Sequence, residues 1–337
     1  MSTSFAEPVL AWYARNARDL PWRAPGATPW AVLVSEIMLQ QTPVARVLPE
    51  YLGWMTRWPT PAALAAEPAG EAIRQWGRLG YPRRALRLHE TATILVARYG
   101  GTVPADLDAL RALPGIGSYT AAAVASFAFG QRHAVLDTNV RRVLARLAAG
   151  QPWAGGSSSA SVAERRLAES LLPAEPAVAA RWSVAVMELG ALVCTAASPR
   201  CGDCPVAREC AWLAAGRPAP PAGTAEVNGT AETVRAAGAD GVNGTAGVAG
   251  KARAAGAAGA GGRRRTQKYD GTDRQCRGRL LAVLRATSDP VRRADFDAVW
   301  TAQAQLDRAL DGLVADGLVD PLPDGRFALP GSEPLSR

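Results

Sequence analysis

The chain alternates between stretches that carry a repeating apolar face and stretches that carry none. Phe5, Val9, Trp12 and Tyr13 recur at helical spacing and predict a helix over residues 5–17, ending before Leu20-Pro21-Trp22-Arg23. Residues 30–41 predict a second helix that is apolar nearly all round. Between Trp30 and Leu39 only Glu36 is charged and only Ser35 is otherwise polar. Residues 44–100 read as further short helices, broken by Pro59, Pro61, Pro68 and the turn Gly77-Arg78-Leu79-Gly80-Tyr81-Pro82. Over residues 107–147 the pattern gives a helix, a tight Leu113-Pro114-Gly115-Ile116-Gly117 turn and a small-residue helix stopping near Gly130. A short apolar run and a helix opened by Asp137 follow.

Periodicity then lapses over residues 216–266, which are dominated by Ala and Gly. Val-Asn-Gly-Thr-Ala occurs there at 227–231 and again at 242–246, a low-complexity echo rather than a repeat fold. This composition predicts a flexible linker ending in Arg263-Arg264-Arg265. Globular pattern returns with a helix near 274–286, a short one through Phe296 and Trp300, and a third over about 303–316. Asp324-Gly325 between two apolar runs is a hairpin signal, so residues 269–330 read as a small winged-helix-like α+β module. The expected organisation is a helical domain over 1–215, a linker over 216–268 and this module.

Bulk properties narrow the class only a little. A chain of 337 residues holds two or three domains. The net charge of +8 and pI of about 9.7 are compatible with a polyanionic partner. There is no bilayer-length apolar run and no signal peptide opens the chain, so a cytoplasmic protein without a membrane partner is expected. Five cysteines and two histidines leave little room for a disulfide scaffold or a histidine-rich metal site. Cys276 stands alone and reads as inert.

Four features carry possible chemistry. Leu33, Glu36 and Gln40 share one helix face, and a carboxyl among apolar side chains has its pKa raised, the preparation of a general acid. The alternative is a surface glutamate on a half-buried helix. Gly115 and Gly117 allow a sharp bend in front of a helix N-terminus, where a phosphate is the natural guest, although an ordinary helix-turn-helix has the same look. Asp137 suits chemistry and helix capping alike. The Gly77–Tyr81 turn leads into Arg83, Arg84 and Arg87, either a nucleic-acid contact or a solvated basic face. Last, Cys194, Cys201, Cys204 and Cys210 in one loop, without histidine, suit an iron–sulfur cluster or zinc. Zinc sites more often use paired short knuckles, and only one is present.

Taken together, residues 5–215 resemble the helix-hairpin-helix DNA glycosylases, specifically the A/G-specific adenine DNA glycosylases. The resemblance rests on Leu20–Arg23, Ser35–Thr42, Gly77–Tyr81, the Leu113–Gly117 hairpin, Leu136–Arg142 and the cysteine spacing, all in order. It implies an all-α, two-lobed body. One lobe would be a six-helix bundle from about 28 to 134. The other would join the N-terminal helix to residues 135–215 and a 4Fe–4S cluster on the four cysteines.

The resemblance further implies hydrolysis of the glycosidic bond of adenine flipped out of duplex DNA, opposite 8-oxoguanine or guanine. Glu36 would protonate N7 and Asp137 would stabilise the oxocarbenium-like sugar. Tyr119 would hydrogen-bond near Glu36, and Asn139 would sit beside Asp137. Trp22 and Arg23 would edge the adenine pocket. Leu39, Gln41 and Tyr81 would serve the opened base stack, Gln40 would join the DNA-binding residues, and Gly115 and Gly117 would hold a backbone phosphate. Arg200 would be offered to phosphates by the cluster loop. A nucleoid-associated protein is expected, and monomer is the default state, since the sequence is silent on oligomerisation.

Endonuclease III-like lyases share the fold and cluster but use a lysine where this chain has Tyr119, and a tyrosine cannot form the Schiff base. A non-catalytic DNA-binding module would leave Glu36 and Asp137 unexplained. Two departures from the family pattern stand out. Pro82 replaces a second tyrosine, and residues 272–330 are too short and too helical for the family's usual nudix-like domain. Discrimination between 8-oxoguanine and guanine is therefore expected to be weaker, or to rest on the Tyr81 region and the linker.

Overall fold

The computed structural model describes residues 5–152, 159–219 and 269–331. The Val-Asn-Gly-Thr-Ala copies and Arg263–Arg265 lie outside the described residues.

Helix α1 (Ala6–Asn16) is followed by a short 3-10 turn at Pro21–Arg23 and by α2 (Pro29–Leu39). Thr28 caps α2 by accepting from Ala31 N–H at 3.1 Å, and Pro29 supplies the pre-set first turn. Every residue of α2 from Trp30 to Met38 is buried, as an all-round apolar helix requires.

The next helices are α3 (Val44–Arg57), α4 (Pro61–Ala65), α5 (Ala69–Gln75) and α6 (Arg83–Tyr99). The breaks after α3 and α4 fall at the expected prolines. Two of the elements are longer than the short helices expected, because α3 continues through Pro49 and α6 runs unbroken to Gly100, left-handed at φ 60°. Then come α7 (Leu107–Arg111), α8 (Ser118–Phe129), α9 (Thr138–Leu147), α10 (Val162–Leu171), α11 (Pro176–Leu192) and α12 (Ala211–Ala214).

Two hydrophobic cores divide the body. One gathers Leu20 and Trp22 with α2 to α8, around Trp54, Trp58 and Trp76. The other packs α1 against α9, α10 and α11, around Val9, Trp12, Trp182 and Leu189. The N-terminal helix thus crosses to the second lobe, and the chain returns to it after Gly130.

Helices α13 (Asp273–Arg285), α14 (Arg293–Asp297) and α15 (Gln303–Ala315) carry the antiparallel pair β1 (Asp320–Pro321) and β2 (Phe327–Ala328). Val291 bridges to Phe327 as a third short edge, giving the winged-helix character. Cys276 is buried in this module's interior. The module is docked on the first lobe. Arg74 donates to the carbonyls of Leu284 and Arg285, at 3.2 and 2.6 Å, and Arg285 returns a bond to Ile73 O at 2.9 Å. Gly70 N–H meets Pro330 O at 2.7 Å, an approach that a Cβ on Gly70 would block, since it would lie 2.7 Å from Leu329 Cβ.

Candidate active site

Glu36 lies in the middle of α2 and is 6 % exposed. Burial pushes its carboxyl from 4.5 to about 7, with Asp137 adding to the rise, while a hydrogen bond from Tyr119 and the charge of Arg23 oppose it. That rise corresponds to roughly 3 kcal/mol. The surrounding apolar side chains contribute roughly 1.5–3 kcal/mol each on burial, so α2 carries the strained group without unfolding. Of the two readings open in the sequence, the surface glutamate is excluded.

Tyr119 stands one residue into α8, within the first turn, and its hydroxyl meets Glu36. Burial and the two carboxylates push its own pKa well above the usual value. Asp137 caps α9, accepting from Val140 N–H at 2.6 Å. Its other oxygen accepts from Asn139 Nδ2 at 2.8 Å, and Arg142 donates to Asn139 Oδ1 at 2.7 Å. Burial raises the Asp137 pKa against the pull of those hydrogen bonds and of Arg142. Capping and candidate chemistry coincide, because a cap fixes a carboxylate at a defined spot.

Arg23 brings a positive charge to the same place. Its Nη1 lies 2.9 Å from Glu188 Oε2, on α11 of the second lobe. Arg18 binds Glu188 through Nε and Nη2, both at 2.7 Å, and through its own N–H at 3.0 Å. Glu188 is fully buried, and these donors hold its carboxyl down at about 2. Sequence reasoning missed Glu188. The available signal was its position in α11 among small and apolar residues, as with Glu36 in α2. It missed Gly190 too, where a Cβ would stand 2.8 Å from Asn139 Cβ and 2.9 Å from Asn139 O. Gly190 lets α11 approach the start of α9 and so seats Asp137 and Asn139.

Other expected residues are placed as follows. Trp22 is buried edge-on against Tyr51, ring centroids 4.9 Å apart. Leu39 packs partly buried on the first core. Gln40 Nε2 donates to Gly115 O and Thr120 Oγ1, each at 3.3 Å, tying the end of α2 to the hairpin. Gly115 is left-handed at φ 75°, whereas Gly117 is extended, and a Cβ there would meet nothing within 4 Å. Open space therefore faces the N-terminus of α8, whose cap offers no side-chain partner.

The basic run after Tyr81 is not one surface. Arg83 and Arg87 are exposed, but Arg84 is buried and donates to the first lobe's main chain and to Thr42 Oγ1. Gln41 is exposed and Tyr81 half-buried, and Arg84 donates to the carbonyl of the residue before each, Gln40 O and Gly80 O.

Cys194, Cys201, Cys204 and Cys210 line one cavity with Arg146, Val193, Pro199 and Trp212, in the second lobe and apart from the carboxylates. Among the described residues no three His, Cys, Asp or Glu side chains are arranged as ligands of a single metal ion. Burial raises the thiols of Cys194 and Cys204, the latter to about 11. Arg146 approaches Cys194 Sγ at 3.4 Å. Arg200 is exposed, donates to Leu192 O at 2.8 Å and lies 3.5 Å from Asp203. No helix among the described residues is long and apolar enough to cross a membrane.

With this geometry in view, comparison with known proteins decides the family. Residues 34–171 match the model of the HhH-GPD superfamily of base excision DNA repair proteins. The adenine DNA glycosylase of Mycobacterium tuberculosis is 50% identical over 327 residues, covering 96% of this chain and 92% of that protein. The chain belongs to the adenine DNA glycosylases. It is a base excision repair glycosylase, a hydrolase of N-glycosyl bonds. The adenine DNA glycosylase of Mycolicibacterium smegmatis is 47% identical over 338 residues, covering all of this chain and 99% of its own, so the likeness runs through the C-terminal module. Among solved structures, a thermostable thymine-DNA glycosylase aligns at a TM-score of 0.56 and 29% identity, over 63% of this chain and 95% of that one.

Proposed function

We propose that the protein releases adenine from duplex DNA where it is mispaired with 8-oxoguanine or guanine, by monofunctional hydrolysis. The observation that carries the reading is the buried Glu36, protonatable near pH 7, hydrogen-bonded to Tyr119 and in electrostatic reach of Asp137. The target nucleotide leaves the stack, because its glycosidic bond is shielded there. Glu36 in its acid form donates its proton to adenine N7, so the base departs neutral rather than as an anion. The C1′–N9 bond breaks, its electron pair leaving with the base. The sugar becomes oxocarbenium-like, and the Asp137 carboxylate stabilises its positive charge. Water adds at C1′ and its proton passes to the Glu36 carboxylate, which restores the acid form. Asn139 and the Val140 N–H hold Asp137 on the sugar's position. Arg23, held by Glu188, restrains how far the Glu36 pKa rises.

The open N-terminus of α8 beyond Gly115 and Gly117, without a side-chain cap, is fitted to a backbone phosphate. Gln41 and Tyr81 are fitted to the opened stack. Cys194, Cys201, Cys204 and Cys210 would hold a 4Fe–4S cluster. Four thiols walling one cavity, with no histidine among them and a single Cys-x2-Cys knuckle, suit a polynuclear cluster better than a lone tetrahedral ion. Bound, the cluster would supply four iron–thiolate bonds that fasten the 194–210 loop beside Arg200. Hydrolysis itself transfers no electron.

The test is single-turnover cleavage of a duplex with A opposite 8-oxoguanine, by wild type and Glu36→Gln, developed with and without alkali. Strand breaks that need alkali and vanish in the variant are expected. Breaks without alkali would replace this reading by a lyase, and intact DNA binding without adenine release would replace it by a binding module.

A further inference from the structure

Among the described residues, Gln41, Tyr81 and Arg217 are the non-glycine residues with left-handed backbones, at φ 56°, 47° and 59°. Gln41 follows the end of α2 and Tyr81 precedes α6, so sequence keeps them far apart. One side chain joins them. Arg84, 7 % exposed, donates through Nη1 to the carbonyls of Ile37 (2.9 Å), Met38 (3.0 Å) and Gln40 (2.6 Å). Through Nη2 it donates to Thr42 Oγ1 (3.0 Å) and Gly80 O (3.1 Å). Its acceptors therefore bracket Gln41 on both sides and include the peptide entering Tyr81. Thr42 Oγ1 also reaches Leu79 O at 3.5 Å, a second strand of the same tie.

No carboxylate is among these partners. A buried guanidinium held by four main-chain carbonyls and one hydroxyl, with its Nε unpartnered, is a costly way to finish a helix, and burial lowers its pKa to about 10. Glycine at positions 41 and 81 would meet the same backbone demand without strain. Side chains retained at strained positions are retained for what those side chains touch. Gln41 is exposed. The Tyr81 ring has the Arg84 guanidinium at 5.6 Å and the Arg274 guanidinium, from the docked C-terminal module, at 5.5 Å. Arg84 also lies 5.1 Å from the Trp76 ring, which anchors it to the core.

We propose that Arg84 is a positioning residue that holds Gln41 and Tyr81 in left-handed conformations, so that both side chains enter the duplex together where the base pair is opened. This rests on the adenine glycosylase reading. Arg84 touches neither adenine nor sugar, and its effect falls on base opening rather than on bond cleavage.

Two DNA substrates separate those steps in the full-length protein. One holds adenine opposite 8-oxoguanine in a continuous duplex. The other holds the same adenine in a short mismatched bubble, where opening is already done. Single-turnover rates are read for wild type, Arg84→Met and Arg84→Lys. Arg84→Met is expected to lose at least about tenfold more rate on the duplex than on the bubble, the scale set by misplacing groups by an ångström or less. Arg84→Lys keeps the charge with fewer donors and is expected between the two. It carries the comparison if Arg84→Met melts below the assay temperature. Equal losses on both substrates, or no loss, would overturn the proposal. Absence of adenine release by wild type from either DNA would instead overturn the functional reading beneath it.

Discussion

Arg23 and Glu188 meet at 2.9 Å although 165 residues separate them, one on the edge of the first lobe and one deep in the second. Arg18 completes the cluster with three donors. The contact does two things. It joins the lobes beneath the candidate site, and it fixes the cation whose charge is felt at Glu36.

Breaking that cluster should be expensive. Glu188→Ala leaves Arg18 and Arg23 without their acceptor, with side chains 34 % and 17 % exposed. A loss of about 3 kcal/mol is expected, read from urea unfolding at neutral pH. The pH dependence has a definite sign. The Glu188 carboxyl is depressed from 4.5 to about 2, so its contribution is complete above pH 4.5 and is lost as pH falls towards 2. Wild type should lose stability over that window faster than Glu188→Gln; parallel curves would refute the assignment.

Glu36 gives the opposite slope. Its folded pKa is raised from 4.5 to about 7, so stability is complete below pH 4.5 and falls as pH rises through 7. Glu36→Gln should therefore be the more stable protein at pH 8, by up to roughly 3 kcal/mol, while releasing no adenine. The wild-type single-turnover rate should fall above pH 7 as the acid form is lost. Removing the Tyr119 hydroxyl in Tyr119→Phe deletes an interaction that lowers the Glu36 pKa, so this alkaline limb should move to higher pH. A limb that stays in place, or moves down, would show that another group titrates.

Gly190→Ala tests how α11 seats the second carboxylate. The added Cβ would stand 2.8 Å from Asn139 Cβ and 2.9 Å from Asn139 O, and a backbone atom cannot swing aside. The start of α9 should shift, with a rate loss on the order of a hundredfold. DNA affinity should change little, because the α8 N-terminus is not involved. Parallel losses of binding and rate would point to general unfolding, which a melting curve would show directly.

Opposite-base choice is expected to depend on the C-terminal module. The docked module is helical and reaches the Tyr81 ring through Arg274. Single-turnover rates on duplexes with A opposite 8-oxoguanine and A opposite guanine should differ less than for a relative with a nudix-like domain. Arg274→Ala should narrow the difference further, and a preference as strong as that relative's would refute the prediction.

Local pattern was enough for much of this. An apolar helix with one carboxylate announced α2 and Glu36, because burial and charge conflict in any fold. Leu113–Gly117 announced the hairpin, Asp137 its cap, and the four spaced cysteines their shared loop. Asp324-Gly325 announced the wing. The helices at α3 and α6 came out longer than expected, since Pro49 and the polar face of α6 are tolerated on surfaces the sequence does not mark.

What the chain alone determined, then, was the set of helices and the chemistry resident on each. Tertiary structure decided the pairings. Glu188 becomes an acceptor for Arg18 and Arg23 only when the lobes close, and Gly190 matters only because α9 starts against it. Arg84 reads as one of three surface arginines until packing turns it inward onto the end of α2. The reason is physical: helix propensity, caps and turns act over a few residues. Ion pairs, steric contacts and desolvation depend on distance in space, and residues far apart in the chain acquire that distance only through folding.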